Sequence, residues 1–190
     1  MKIRTGFVSN SSSSSFIIAT EWDKKPDIEG LGRFLFPDGK GVSCDYYEDE
    51  IEVMTAVQLI YPHLHGPLTE KDIKGIIKNG HFDGYPRHTA PLSDKFRGEY
   101  YRKTGKNIWS EERDSIAHTE FARLMRRDTE AMYKKIGVAA KEYYDKVKSI
   151  FEGKKAWSIE IGDSHGSLQN GTLEHGNTFR SVPHIRISNH

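Results

Sequence analysis

The hydrophobic and polar positions along the chain follow strand-like patterns at its two ends and helix-like patterns in its middle. Near the N-terminus, apolar runs rich in β-branched and aromatic residues predict strands over 3–8 and 16–22. Near the C-terminus, 157–161 and 184–188 alternate between apolar and polar residues, as half-buried strands do, and 171–174 is a candidate for another short strand. We therefore predict an α+β fold in which the terminal strands form one small antiparallel or mixed sheet.

The middle of the chain carries three helical patterns. Apolar residues recur at three- and four-residue steps over 51–61, and Thr69 with Asp72 forms a capping box before a short helix that ends at Gly80. A longer stripe runs from 110 to 152, but Asp128 occupies an apolar position of the stripe and Gly137 disfavours a helix. Both one long helix and a helical hairpin remain open there. The Pro- and Gly-containing stretches 24–41 and 81–108 are predicted to be mostly irregular.

The length of 190 residues predicts a single domain over 1–190, with a helical insertion of about 48–152 between the terminal strands. The chain has 28 basic and 27 acidic residues, so any binding of nucleic acid or an anionic membrane depends on a local patch. With one cysteine, Cys44, it forms no internal disulfide, which favours a reducing compartment. No stretch has the pattern of an export signal or a spanning helix, and we expect a soluble, cytoplasmic protein without membrane partners.

A run of small polar residues, 9–15, lies between the apolar pairs at 7–8 and 16–17. It is compatible with a flexible loop, with a long hairpin connection, or with a cradle in which backbone N–H groups and hydroxyls bind an anion. The run lacks glycine and a following Gly-Lys-Ser/Thr, so it is not a nucleotide-binding P-loop. The candidate ligand-binding residues of the cradle are Ser11, Ser12, Ser13, Ser14 and Ser15.

The stretch RTGFVSNSSSSSFIIA, 4–19, resembles the segment that opens many uncharacterised phage and bacterial proteins, of the form R-x-GFVSNSSSSSF. The C-terminal pattern is similar to the closing pattern of a subset of them, with Glu174-His175-Gly176, Phe179, Pro183-His184, Ile187-Ser188 and His190. Since these proteins have no established activity, the resemblance implies a phage-type origin, with the host cytoplasm as its location, and no mechanism.

Histidines and carboxylates cluster in the last part of the chain. Imidazole and carboxylate together are common ligands of zinc and other divalent ions, which makes His175, His184, Asp163 and Glu174 a candidate metal set. The spacing matches no HExxH or CxxC motif. The alternative is that these residues belong to turns and caps, with imidazoles bonded to the backbone.

Five basic residues and three aromatic residues interleave over 95–106, with a single acidic residue. Such a stretch suits single-stranded nucleic acid, whose bases stack on rings, and equally suits an acidic protein surface. It is also compatible with a solvated loop whose tyrosines pack on the helices. The candidate contacts are Lys95, Arg97, Tyr100, Tyr101, Arg102 and Lys103.

These features lead to one favoured hypothesis of function and two alternatives. The favoured one is a non-enzymatic phage-type accessory protein that binds a host protein or a small anionic ligand, needs no cofactor and is able to self-associate through its long helices. The first alternative is a metal-dependent hydrolase of phosphate esters, in which the C-terminal His, Asp and Glu residues hold the ion. The second is a nucleic-acid-binding protein that uses the 95–106 stretch.

Overall fold

A computed structural model of the chain describes residues 13–45, 49–113, 115–162 and 168–188, with residues 168–170 described in their backbone alone. The chain divides into two compact units. The first, here called the sheet unit, comprises the described residues up to Asp83 and from Tyr143 onward. The second, Gly84–Glu142, is here called the helical unit and is shorter than the predicted insertion of about 48–152.

The sheet unit is built on a four-stranded antiparallel sheet of β1 (Ser13–Thr20), β4 (Leu64–Leu68), β5 (Lys155–Gly162) and β6 (His184–Ser188). Across the sheet these strands follow the order β4-β5-β1-β6. Strand β1 lies in the interior of the sheet, where Ser14 is opposite Ile161 of β5 and Ser188 of β6. This pairing of N-terminal with C-terminal strands confirms the predicted α+β class. Strands β2 (Val42–Cys44) and β3 (Asp49–Ile51) form a separate antiparallel pair.

Four helices complete this unit, and the first two bury their apolar faces against β1 and β5. The helices are α1 (Ile28–Leu35), α2 (Val53–Ile60), α3 (Glu70–Asn79) and α6 (Leu168–His175). In the core, Leu31 and Val57 are fully buried in one cluster with Ile18 of β1. Burial of each such side chain contributes about 1.5–3 kcal/mol, so the core holds the sheet and helices as one body.

The predicted capping box at the start of α3 is confirmed, whereas two element predictions in this unit are wrong. Thr69 and Asp72 bond to each other's backbone N–H, and the helix ends before Gly80. Helix α1 lies inside the stretch predicted to be irregular, because Asp27 caps its N-terminus by accepting a bond from Gly30 N–H at 2.6 Å. The predicted strand over 171–174 is part of helix α6.

The helical unit contains α4 (Pro91–Thr104), the 3₁₀ turn Ile108–Ser110 and most of α5 (Ile116–Val147). Helix α5 is a single helix of 32 residues, and the 3₁₀ turn Lys148–Phe151 follows it. The region is therefore one long helix and not a helical hairpin. The prediction that 81–108 is mostly irregular is wrong for α4. Within the residues that the structure describes, no helix is both long and apolar enough to cross a membrane.

Candidate functional site

Helix α4 carries the basic and aromatic residues, and its ends follow ordinary helix signals. Pro91 occupies the first turn, where a missing N–H costs nothing, and Gly105 ends the helix with a positive φ of 70°. Ala90, at the N-cap, has no side chain able to accept the free N–H groups of the first turn. These groups are satisfied from another helix.

Asp128 of α5 accepts those N–H groups. Its carboxylate accepts bonds from Leu92 N–H at 3.2 Å, Ser93 N–H at 2.8 Å and the Ser93 hydroxyl at 2.8 Å. Burial opposes ionisation of Asp128, which is 6% exposed, but the hydrogen bonds from Ser93 and Leu92 together lower the pKa of its carboxyl below the ordinary value. The polar residue that interrupts the apolar stripe of α5 therefore supplies the capping hydrogen bonds that Ala90 cannot make at the start of α4.

A groove of about 400 Å³ lies where the chain folds back after α4. Past Gly105, buried Ile108 anchors the 3₁₀ turn, and the neighbouring Trp109 stands edge-on to buried Phe121, with ring centroids 4.9 Å apart. Trp109 is still 56% exposed, so its indole is fixed in position and accessible at the same time. The residues that line the groove are Asp94, Arg97, Gly98, Tyr101, Asn107 and Trp109.

The helix side of the groove is a stripe of α4 residues at helical spacing, flanked by arginines. Arg97 forms an exposed ion pair with Asp94 at 2.9 Å, and Arg102 donates from Nε to the carbonyl of Gly98 at 3.3 Å. The exposed side chain of Tyr101 lines the groove one turn beyond Gly98. Together these residues place aromatic surface beside guanidinium groups, a combination that binds acidic or aromatic partners.

The adjacent tyrosines of α4 serve different purposes. Tyr100 donates a hydrogen bond to the carboxylate of Glu111, and this bond raises the pKa of the Tyr100 phenol. Tyr101 is 60% exposed. Only Tyr101 is therefore presented to a partner.

All six predicted contacts, Lys95, Arg97, Tyr100, Tyr101, Arg102 and Lys103, lie on α4. Their role in binding stays a prediction. Sequence reasoning missed Trp109, although Asn107 provides a signal: its side chain caps the 3₁₀ turn by accepting a bond from Trp109 N–H at 3.1 Å. A capping Asn shortly after a helix-ending Gly indicates that the chain turns back toward the helix it has just left.

The serine run is only partly within the described residues. Ser11 and Ser12 lie outside them, and Ser13, Ser14 and Ser15 are part of strand β1, so the loop interpretation is wrong for these three. They pair with β5, and Ser14 and Ser15 also pair with β6. Regular pairing on both sides uses backbone N–H groups that a cradle would need for an anion.

Ser14 is fully buried and belongs to a polar cluster with Glu174 and Arg186. Its hydroxyl donates to Glu174 Oε1 at 2.7 Å and accepts from Arg186 Nε at 3.1 Å. Arg186 Nη2 also approaches Glu174 Oε1 at 3.4 Å. Because Glu174 is 1% exposed, its charge requires these partners, and the cluster serves to hold α6, β1 and β6 together.

The two candidate histidine ligands have different neighbours. His175 Nε2 lies 3.7 Å from Glu174 Oε2, whereas His184 Nδ1 is within hydrogen-bonding distance, 2.9 Å, of the Val182 carbonyl. Asp163 lies outside the described residues. Among the residues that are described, no three His, Cys, Asp or Glu side chains converge as a metal site, and the metal set stays a prediction.

A larger cavity of about 650 Å³ lies beside the β2–β3 pair. Arg180 lines it and donates to the Asp38 carboxylate at 3.2 Å and to the carbonyl oxygens of Lys40 and Gly41, each at 3.1 Å. A backbone bond from Lys40, with the charge of Arg180, lowers the pKa of Asp38. The described residues that line this cavity include no aromatic side chain, which makes it a weaker candidate for a protein-binding site than the α4 groove.

Comparison with models of known protein families, with curated protein sequences and with solved structures finds no match for this chain.

Proposed function

We propose that this chain is a non-enzymatic accessory protein that binds a partner protein through the α4 groove. The observation that carries the proposal is that two exposed aromatic side chains, Tyr101 and Trp109, line one groove of the helical unit together with Arg97. Aromatic and arginine side chains are the residues that contribute most at protein interfaces. The resemblance of the chain to phage proteins supports a host protein as the partner.

The charge of the chain segment beside the groove favours an acidic partner. The stretch 95–106 has five basic residues and one acidic residue, although the whole chain is nearly neutral. The attraction is therefore local, and it steers one face of the molecule toward a partner of opposite charge. Asp94 also lines the groove, where it forms an ion pair with Arg97 at 2.9 Å.

The metal-dependent hydrolase remains the second proposal, with weaker support. Its candidate ligand Glu174 is buried and bonded to Ser14 and Arg186, and the ring of His184 is engaged with a backbone carbonyl. A catalytic metal site needs ligand atoms that face one cavity with room for substrate. The polar atoms of Glu174 and His184 named above are instead engaged with other groups of the protein.

The test of protein binding is site-specific photo-crosslinking of the full chain in a bacterial host lysate. A photoreactive residue replaces Tyr101 in one variant and Tyr133 in the other. Tyr133 is a matched control because it is 68% exposed on α5 of the same unit and does not line the groove. Crosslinked proteins are identified by mass spectrometry and then titrated, as purified proteins, against the chain.

We expect one protein to crosslink from position 101 and not from position 133. Its purified form should bind the wild-type chain and lose at least about tenfold in affinity with the double variant Tyr101→Ala, Trp109→Ala, as expected for central anchors of an interface. Equal crosslinking from both positions, or an affinity that the double variant leaves unchanged, would overturn the proposal.

A further inference from the structure

Resting on the proposed function, we further infer that the groove is an anchor site for one large apolar side chain of an acidic segment, which seats over Gly98 between Tyr101 and Trp109. Three features of the structure support this mode of recognition: the space over Gly98, the fixed ring of Trp109 and the charges around the groove.

The geometry of helix α4 does not require a glycine at position 98. A Cβ atom built on Gly98 would meet no atom within 4 Å, and the φ angle of this residue is not positive. A glycine in a helix interior destabilises the helix relative to alanine. At Gly98 the missing side chain leaves the floor of the groove open, so a partner atom can approach the helix backbone there.

The walls of the space suit an apolar, preferably aromatic, side chain. Trp109 is held edge-on by Phe121, so its ring loses little freedom when a partner packs on it. Tyr101 lines the same groove from α4, one turn beyond Gly98. A groove of about 400 Å³ has room for one large side chain and is small for a complete folded element.

The charges around this space select what flanks the anchor. Arg97 lines the groove, and the guanidinium of Arg102 is bonded to the Gly98 carbonyl. Lys95, exposed on α4 one turn before Gly98, adds a further positive charge on this side of the helix. Carboxylates on either side of the anchor would therefore meet guanidinium groups, which form paired hydrogen bonds with them.

Two glycine substitutions test the anchor site because they separate binding from folding. Gly98→Leu fills the floor of the groove, whereas Gly137→Leu is the matched control in α5, where a built Cβ also meets nothing within 4 Å. Leucine is a better helix former than glycine, so both variants should be at least as stable as the wild type. A loss of binding by Gly98→Leu therefore cannot come from unfolding, and thermal melts of both variants verify this.

The probes are short synthetic peptides of alternating Asp and Glu with one central Phe, the same peptide with Ala in place of Phe, and an oligo(dT) strand. Each is titrated calorimetrically into the full chain and both variants at low ionic strength, where charge attraction is least screened. We expect the Phe peptide to bind the wild type and Gly137→Leu equally. Replacing Phe by Ala, or Gly98 by Leu, should weaken binding by about tenfold or more.

The remaining outcomes overturn the anchor site. Absence of binding by the Phe peptide, or equal binding by the wild type and Gly98→Leu, would show that the groove does not seat an apolar side chain. If the host protein still crosslinks at position 101 in either case, the proposed function stands and only the anchor is lost. Tighter binding of oligo(dT), lost in Gly98→Leu, would instead assign the groove to nucleic acid.

Discussion

At the scale of single residues, Glu174 shows how a side chain that looks like a metal ligand in sequence is used to hold the fold. One of its carboxylate oxygens accepts the Ser14 hydroxyl and lies near the guanidinium of Arg186. Ser14, on β1, is 160 positions from Glu174 of α6, whereas Arg186 of β6 follows Glu174 by 12 positions. A buried carboxylate with these partners supports the position of the helix against the sheet.

We predict that Glu174→Ala lowers the free energy of unfolding by roughly 2 kcal/mol. Removing one partner of a fully buried pair costs about 3 kcal/mol or more, but the Arg186 side chain is 40% exposed and can be hydrated after the change. Urea denaturation followed by circular dichroism measures the difference. The control is Glu142→Ala, an exposed position of α5, which should change the value by less than about 0.5 kcal/mol. Equal effects of the two variants would contradict a stabilising role for the Glu174 cluster.

Residues of the N-terminal and C-terminal sequence patterns meet in this part of the molecule. Phe16, directly after the serine run, stacks on Phe179 with ring centroids 4.2 Å apart, and the ring of His184 lies 5.5 Å from that of Phe179. Gly176 is needed because a Cβ there would lie 2.7 Å from the Ser43 carbonyl oxygen. The N- and C-terminal patterns therefore describe one packing arrangement, which accounts for several of their residues without any catalysis.

At the scale of elements, α4 exists as an ordered helix because α5 supplies its cap. Asp128 is separated from Ser93 by 35 positions, yet its carboxylate satisfies two N–H groups of the first turn of α4. The cap also fixes the helix on which Arg97, Gly98 and Tyr101 line the groove. The binding surface therefore depends on a residue outside it.

We predict that Asp128→Ala lowers the Tm by about 3 °C or more, because the N–H groups of Leu92 and Ser93 lose their acceptor. The control is Glu130→Ala, an exposed residue on the same helix. Thermal unfolding by differential scanning calorimetry measures both. The capping role would be refuted by the same small shift in the two variants.

At the scale of the whole molecule, several carboxyl groups have pKa values below their ordinary ones. Hydrogen bonds from the Thr69 hydroxyl and N–H lower the pKa of Asp72, and a hydrogen bond from Lys74 is the chief cause that lowers the pKa of Glu70. Burial opposes ionisation of Asp128, but the hydrogen bonds from Ser93 and Leu92 lower its pKa overall. Each group releases its proton more readily in the folded than in the unfolded chain. The stability it contributes is present above the unfolded pKa, 3.8 for Asp and 4.5 for Glu, and is lost as the pH falls through the folded pKa.

We therefore predict that the Tm is nearly constant from about pH 7 to about pH 5 and falls progressively below about pH 4.5. The double variant Asp72→Asn, Asp128→Asn should show a shallower fall, because two of the groups that bind protons on unfolding are gone. Calorimetric melts across this pH range measure both slopes. A Tm that rises on acidification, or parallel curves for the two proteins, would contradict the assignment.

The sequence predicted elements well where local signals agreed with tertiary packing. The alternating patterns of 157–161 and 184–188 became β5 and β6, and the capping box of Thr69 and Asp72 started α3. Helices α1 and α4 were missed because their Gly and Pro residues suggested loops, although Pro91 and Gly105 stand where a helix begins and ends. Of the groove, sequence reasoning identified the basic and aromatic residues of α4, and it missed Trp109.

By itself, the sequence determined the α+β class, the strands at both ends, the capping signals and the local excess of basic and aromatic residues, because each depends on patterns within a few neighbouring positions. Only the tertiary structure decided that α5 is one helix, that Asp128 caps α4 and that Glu174 is buried with Ser14 and Arg186. It also decided that Trp109 stands across a groove from Tyr101. The contacts of Asp128 with Ser93 and of Glu174 with Ser14 join residues distant in the chain, and no local pattern records which buried polar group finds which partner.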